Sequence, residues 1–152
     1  MRGYDVRTGK ELWEFHTFPR EGEVGYNTWE LKDSEKNRTG NDVWAFALTV
    51  DEKNGLVYFP VSGPGANYYG GDRPGAKLFG NSIVAVDMKT GAEKWRFKTL
   101  GPVDSSPAVD YGAFYFGSGD YCFYAVDAAS GRELWRFNTK NEIRSSPALF
   151  EN

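Results

Sequence analysis

Short apolar runs, broken at regular intervals by turn residues, dominate the hydrophobic pattern of the chain. Ile83-Val84-Ala85-Val86 and Phe123-Tyr124-Ala125-Val126 are continuous apolar segments of strand length. Each is followed by a turn, Met88-Lys89-Thr90-Gly91 or Ala128-Ala129-Ser130-Gly131. A second strand then alternates large and polar residues, with Trp95 and Phe97, or Trp135 and Phe137, on one face. In the turn, an Asp carboxylate accepts backbone N–H bonds and the Gly takes a positive φ that other residues resist. The prediction is a hairpin. Upstream, Ala108 to Gly117 reads strand, turn, strand, with Asp110-Tyr111-Gly112 at the bend. Two hairpins in about 40 residues make four strands, the size of a propeller blade.

The pattern repeats. Asp5 to Phe15, Asp87 to Phe97 and Asp127 to Phe137 each run Asp, three residues, Gly, three residues, Trp, one residue, Phe. The last two copies lie 40 residues apart, and the same offset carries Ser105-Ser106-Pro107-Ala108 onto Ser145-Ser146-Pro147-Ala148. Trp13, Trp95 and Trp135 are therefore equivalent positions, as are Gly9, Gly91 and Gly131, and Asp5, Asp87 and Asp127. Trp13 and Trp95 lie 82 residues apart, but Val50 to Gly63 parallels Val109 to Gly119, so this interval is one blade with long loops. The expected fold is all-β, a partial β-propeller of four-stranded antiparallel blades. Residues 1–18 supply the last hairpin of one blade, 43–99 a blade with long loops at 17–42 and 62–80, 105–139 a second blade, and 145–152 the first strand of the next. An isolated blade has two open faces and cannot bury them alone. The remaining blades are therefore expected from a longer chain or from other copies.

Composition narrows the partners. A net charge of −3 and a sequence pI near 5.2 provide no basic stripe and argue against nucleic acid. No apolar run approaches the length of a membrane span. Met1-Arg2-Gly3-Tyr4-Asp5 lacks a signal peptide's apolar stretch and reads like the middle of a repeat. Cys122, the single cysteine, sits in an apolar run and is expected to be a buried strand residue.

Ala85-Val86-Asp87-Met88-Lys89-Thr90-Gly91-Ala92-Glu93-Lys94-Trp95 resembles the tryptophan-docking repeat of quinoprotein dehydrogenases. Gly55 to Pro60, Tyr69 to Gly75 and Leu78 to Asp87 resemble one blade of pyrroloquinoline quinone (PQQ)-dependent glucose and alcohol dehydrogenases, and Gly3 to Pro19 their preceding hairpin. This resemblance covers the first two-thirds of the chain; the remainder matches only the generic PQQ repeat. It implies PQQ and calcium as cofactors, a periplasmic or extracellular location, and a docking role for the three repeated indoles. It also implies that Trp44 is the floor beneath the quinone ring; the alternative is a large core residue at the start of a strand.

Elsewhere the family pattern is lost. The general-base position falls on Ser106 and the family's histidines on Gly101 and Pro102. A serine hydroxyl has no useful basicity near neutral pH. Asp104, two residues away, is a candidate base, its repeat mate being Arg144; otherwise it is a solvated loop carboxylate. Gly65 stands where the family places a polar residue near the quinone and calcium, leaving Ser62 and Asn67 as partial substitutes. The retained residues thus do not support a metal site. His16 is expected at the exposed end of an outer strand, and Asp72 and Arg73 form a loop ion pair or contact surface. The functional expectation is a quinoprotein-like propeller segment that is not catalytically competent as this chain alone. The alternative is a non-catalytic PQQ-repeat scaffold similar to the outer-membrane assembly lipoprotein.

Overall fold

A computed structural model describes residues 1–30, 43–44, 47–63 and 75–150. Among these residues ten strands form three antiparallel sheets. β1 (Arg2–Tyr4) and β2 (Glu11–Glu14) make a hairpin. β3 (Thr49–Asp51), β4 (Leu56–Val61), β5 (Ser82–Asp87) and β6 (Glu93–Lys98) make a four-stranded sheet in chain order. β7 (Ala108–Asp110), β8 (Ala113–Gly117), β9 (Cys122–Asp127) and β10 (Glu133–Asn138) make another. The only helical element among the described residues is a single 3-10 turn, Tyr26–Thr28. The fold is all-β, an arc of a β-propeller.

The continuous apolar runs of β4 and β5 follow from burial on both faces. Phe59, Val61, Val84 and Val86 form a core with Phe79, against which Met1, Trp13 and Phe15 of the first hairpin pack. The opposite face of the same strands presents Leu56, Tyr58, Ile83 and Ala85, which join Phe114, Phe116, Tyr124 and Val126 of the next sheet. Alternate residues of one strand therefore serve two different cores. Cys122 is buried in the second core, as expected.

Three hairpins share one turn. In the middle copy, Asp87 Oδ1 accepts N–H bonds from Lys89 and Thr90, both at 3.0 Å, and the Gly91 N–H closes on the Asp87 carbonyl at 2.9 Å. Gly91 has φ +70°. Each hairpin also carries a bulge just beyond the turn. Val86 faces Glu93 but Ala85 faces Trp95, so Lys94 is skipped; Leu12 and Leu134 are skipped in the other two.

Each bulge precedes an indole. Trp13 Nε1 donates to the Met88 carbonyl at 3.0 Å, and a Cβ added to Gly91 would lie 2.6 Å from the Trp13 ring. Trp95 repeats this one blade on, donating to the Ala128 carbonyl at 3.0 Å, with its ring 2.7 Å from a Cβ added to Gly131. Among the described residues no sheet follows Trp135, which is 47% exposed. Residues 145–150 form no strand, unlike the opening strand expected over 145–152. Their repeat mates in β7 are held by a ladder to β8, and among the described residues no second strand lies beside 145–150.

Two outcomes are expected. Trp95→Ala removes a buried indole and its hydrogen bond and should destabilise the fold by about 3–5 kcal/mol, whereas Leu100→Ala, at a residue 91% exposed, should change little in urea unfolding. The Lys94 ammonium at 3.2 Å, followed by the turn N–H groups, lowers the Asp87 carboxyl from 3.8 to about 2. Such a depressed group stabilises the fold above its unfolded value, and that contribution is lost as pH falls toward about 2. Asp87→Asn should accordingly flatten the decline of the urea midpoint on acidification through this window.

Candidate functional site

Antiparallel alternation sends the strand ends to two rims. One rim carries the short turns at 5–10, 52–55, 88–92, 111–112 and 128–132. The other carries the longer connections, among them 15–30, the approach to β3, the segments after β4 and β6, and the turn 118–121. Trp44, Ser62, Gly101, Pro102, Asp104 and Ser106 all belong to this second rim.

Two of the singled-out residues meet there. Ser62 Oγ donates to Asp104 Oδ1 at 2.6 Å, joining the end of β4 to the approach to β7. A hydroxyl-to-carboxylate bond this short is charge-assisted and holds both groups in place. Asp104 is part-buried and bonded, so it is not a freely solvated loop carboxylate. Beside it, Ser105 is 1% exposed, donates to the Gly117 carbonyl at 3.1 Å and accepts the Gly117 N–H at 3.2 Å. The Ser106 N–H donates to Ser146 Oγ at 3.0 Å, so one Ser-Ser-Pro junction is tied to its repeat mate.

Gly101 is packed too tightly for any side chain. A Cβ there would fall 2.5 Å from the Asp120 nitrogen and 2.6 Å from the Gly119 carbonyl carbon. Pro102 is fixed as well, its carbonyl accepting the Gly119 N–H at 2.8 Å. Asp120, which sequence reasoning left without a role, organises this corner. Its Oδ2 accepts from the Leu100 N–H at 3.0 Å and the Tyr124 hydroxyl at 2.7 Å, and its Oδ1 accepts the Cys122 N–H at 3.2 Å. Burial, then the bond to Asp120, pushes the Tyr124 hydroxyl well above its ordinary range. The glycine-rich run 117–119 thus serves a strand connection.

Trp44 lies outside any strand and is 49% exposed, which overturns its reading as a core residue. Its carbonyl accepts the Ala47 N–H at 2.9 Å. His16 departs from expectation as well. Its side chain is only 18% exposed, with Nδ1 2.8 Å from Glu23 Oε1 and Nε2 3.0 Å from Glu14 Oε2. It lines a cavity of about 200 Å³ with Phe15, Val24, Phe79 and Glu93. The glutamates sit at opposite nitrogens and do not converge, and no group of three or more His, Cys, Asp or Glu is arranged to hold a metal ion among the described residues. The Glu23 contact had no sequence signal because its partner sits in a loop. Gly65, Asn67, Asp72 and Arg73 lie outside the described residues.

Comparison with known proteins decides the family. Residues 1–102 match the glucose/ethanol/alcohol dehydrogenase β-propeller domain. The chain belongs to this family. Among curated relatives of this propeller, lupanine 17-hydroxylase [cytochrome c] of a Pseudomonas species is 35% identical over 111 residues, covering 66% of this chain and 16% of that protein. Quinohemoprotein alcohol dehydrogenase ADH-IIG of Pseudomonas putida is 33% identical over 125 residues, covering 74% of this chain and 17% of that one. The glucose/ethanol/alcohol dehydrogenase propeller segment described here therefore spans about one sixth of the length of these relatives. Its fold superposes on the solved structure of ADH-IIG with a TM-score of 0.71 at 24% identity, over 90% of this chain and 24% of the other. The quinohemoprotein alcohol dehydrogenase of Comamonas testosteroni gives 0.67 at 21% identity, again over 90% of this chain.

Gly101→His is expected to fail structurally. Its side chain has no room beside the 119–120 backbone, and overpacking of this kind costs about 1–3 kcal/mol or more. A lowered thermal midpoint, with the 118–121 amides losing hydrogen-exchange protection, is the expected readout.

Proposed function

We propose that this chain is a cofactor-facing arc of a PQQ-dependent dehydrogenase-type propeller that does not turn over substrate by itself. One observation carries the reading: the positions that the family uses for proton abstraction hold groups already committed to blade junctions. Gly101 is sealed against the Gly119–Asp120 backbone, Asp104 Oδ1 is bonded to Ser62, and Ser106, whose backbone N–H is held by Ser146 Oγ, brings only a hydroxyl without useful basicity. A base must reach the proton it abstracts with an uncommitted lone pair of suitable basicity. Asp104 is the best remaining carboxylate on this rim, and its engaged Oδ1 makes it a junction residue first.

The cofactors divide. Trp44 offers a half-exposed indole on the long-loop rim, and a flat aromatic ring stacks well on such a surface. Bound PQQ would supply the electron-accepting chemistry of the reaction, and Trp44 would be its floor. Calcium takes about six to eight oxygen ligands. Ser62 and Asp104 are bonded to each other, and the described residues do not make up such a cage, so no step is assigned to the ion. Trp13 and Trp95 are read as the docking residues of the repeat, on the support of their bonds to Met88 and Ala128. For the longer protein or assembly to which the arc belongs, the resemblance favours oxidation of a sugar or alcohol hydroxyl in the periplasm or outside the cell.

The test is a PQQ titration followed by tryptophan fluorescence, with and without calcium, then dye-linked oxidation of glucose and small alcohols. Saturable quenching that is mostly lost in Trp44→Ala, with no turnover, is expected. Turnover by this chain would overturn the non-catalytic reading. Absence of quenching would leave the scaffold reading, which the bonded Ser-Ser-Pro junctions favour.

A further inference from the structure

Asn54-Gly55 is the single Asn-Gly step in the sequence, and it closes the turn between β3 and β4. Asn54 is exposed. Its Nδ2 donates to Asp51 Oδ2 at 2.7 Å, and its backbone N–H donates to Asp51 Oδ1 at 3.0 Å. Gly55 has φ +66°, and a Cβ added there would meet nothing within 4 Å. Glycine has no side chain to block approach, so its nitrogen stands unshielded beside a primary amide. Other turns of the same rim treat that nitrogen differently. The N–H groups of Gly9, Gly91 and Gly131 close on the carbonyls of Asp5, Asp87 and Asp127 at 2.8, 2.9 and 2.9 Å. Among the described residues, no such bond joins the Gly55 N–H to the Asp51 carbonyl. Before the glycine those turns carry Thr8, Thr90 and Ser130, and Tyr111 precedes Gly112. Asn54 is the residue that offers an amide carbon at this position.

What rests on this turn gives it reach. The Gly55 carbonyl accepts the Met88 N–H at 2.9 Å, and the Met88 carbonyl accepts the Trp13 indole at 3.0 Å. In the next blade the Gly112 carbonyl holds the Ala128 N–H at 2.9 Å, and Ala128 receives Trp95 at 3.0 Å. The two relays match, but the residue ahead of the glycine is a tyrosine in one and an asparagine in the other. Asp51, which anchors the Asn54 amide, also accepts from the hydroxyl of the buried Tyr58 at 3.3 Å.

We propose that Asn54 is a site of spontaneous, enzyme-independent modification, at which the Gly55 nitrogen displaces the side-chain amide and the product unfastens the Met88 relay. The Gly55 nitrogen gives its proton to a solvent base and bonds to Asn54 Cγ. The Cγ–Nδ2 bond breaks, Nδ2 takes a proton from solvent and leaves as ammonia, and a cyclic succinimide remains. Water then opens the ring at either carbonyl. Opening at Cγ gives aspartate; opening at the backbone carbonyl gives isoaspartate, with the main chain now running through Cγ. The net exchange is water in and ammonia out, with no change of oxidation state. Aspartate sets a carboxylate oxygen against Asp51 Oδ2, where Nδ2 stood at 2.7 Å, so attraction becomes repulsion. Isoaspartate lengthens the main chain by a methylene just ahead of the Gly55 carbonyl. Both products displace the acceptor of the Met88 N–H. The chemistry belongs to the hairpin and is independent of cofactor binding.

The experiment ages the unaltered chain at mildly alkaline pH, below its thermal midpoint, and follows each asparagine by peptide mapping. Asn54 should convert several-fold faster than Asn138 or Asn141, with isoaspartate among the products. The rate should climb with pH, because the attacking nitrogen must shed its proton. As the converted fraction grows, the Met88 amide should lose hydrogen-exchange protection and the urea midpoint should fall. Asn54→Gln, whose longer side chain closes a ring far more slowly, should keep both when aged in parallel. An Asn54 that stays intact in the folded chain and converts only in urea would overturn the proposal, since the turn would then protect it. Full conversion with the Met88 amide still protected would overturn the link to the relay.

Discussion

The indole that crosses from one blade to the turn of the next is the contact on which the rest of the arc depends. It demands three things at once: a glycine with positive φ, so that a flat ring can approach the backbone; a carbonyl facing the ring nitrogen; and a bulge that aims the tryptophan across the gap. Asp87 and Asp127 support the first by gathering turn N–H groups, and the turns put Met88 and Ala128 in place for the second. Remove any one and the ring has no seat. Because the contact ties the outer strand of one sheet to the outer hairpin of the next, the aromatic cores between sheets are closed at that edge.

Much of this architecture can be read from the amino-acid order, because it rests on local chemistry. Apolar runs with Asp and Gly at fixed offsets specify hairpins, and a 40-residue repeat specifies stacking. The bulges were not legible. Lys94, Leu12 and Leu134 look like ordinary members of an alternating strand, and only the pairing register reveals that they are skipped. The half-exposure of Trp44 was not legible for a related reason, since a large aromatic near a strand can read as core unless the end of the strand is known. His16 shows the remaining limit. Its burial comes from Glu23 and from a cavity wall that includes Phe79, contacts that pattern within one strand does not encode.

The two rims divide labour. One is built of tight, repeated turns and holds the blades together. The other collects the long connections. A scaffold that is secured at one end leaves the other free to change its chemistry, which is why membership of the glucose/ethanol/alcohol dehydrogenase family fixes the fold more firmly than the reaction. Ser62 and Asp104 illustrate the point: two polar groups on the long-loop rim that brace neighbouring blades.

The close approach of Gly101 to the Gly119–Asp120 backbone has an evolutionary consequence. A lineage carrying this corner cannot gain a side chain at 101 in one step, since the neighbouring turn would first have to be rebuilt. Asp120 makes that harder, because shifting it would also release Leu100 and Tyr124. The corner acts as a lock: position 101 stays glycine for as long as the strand connection across from it keeps its course.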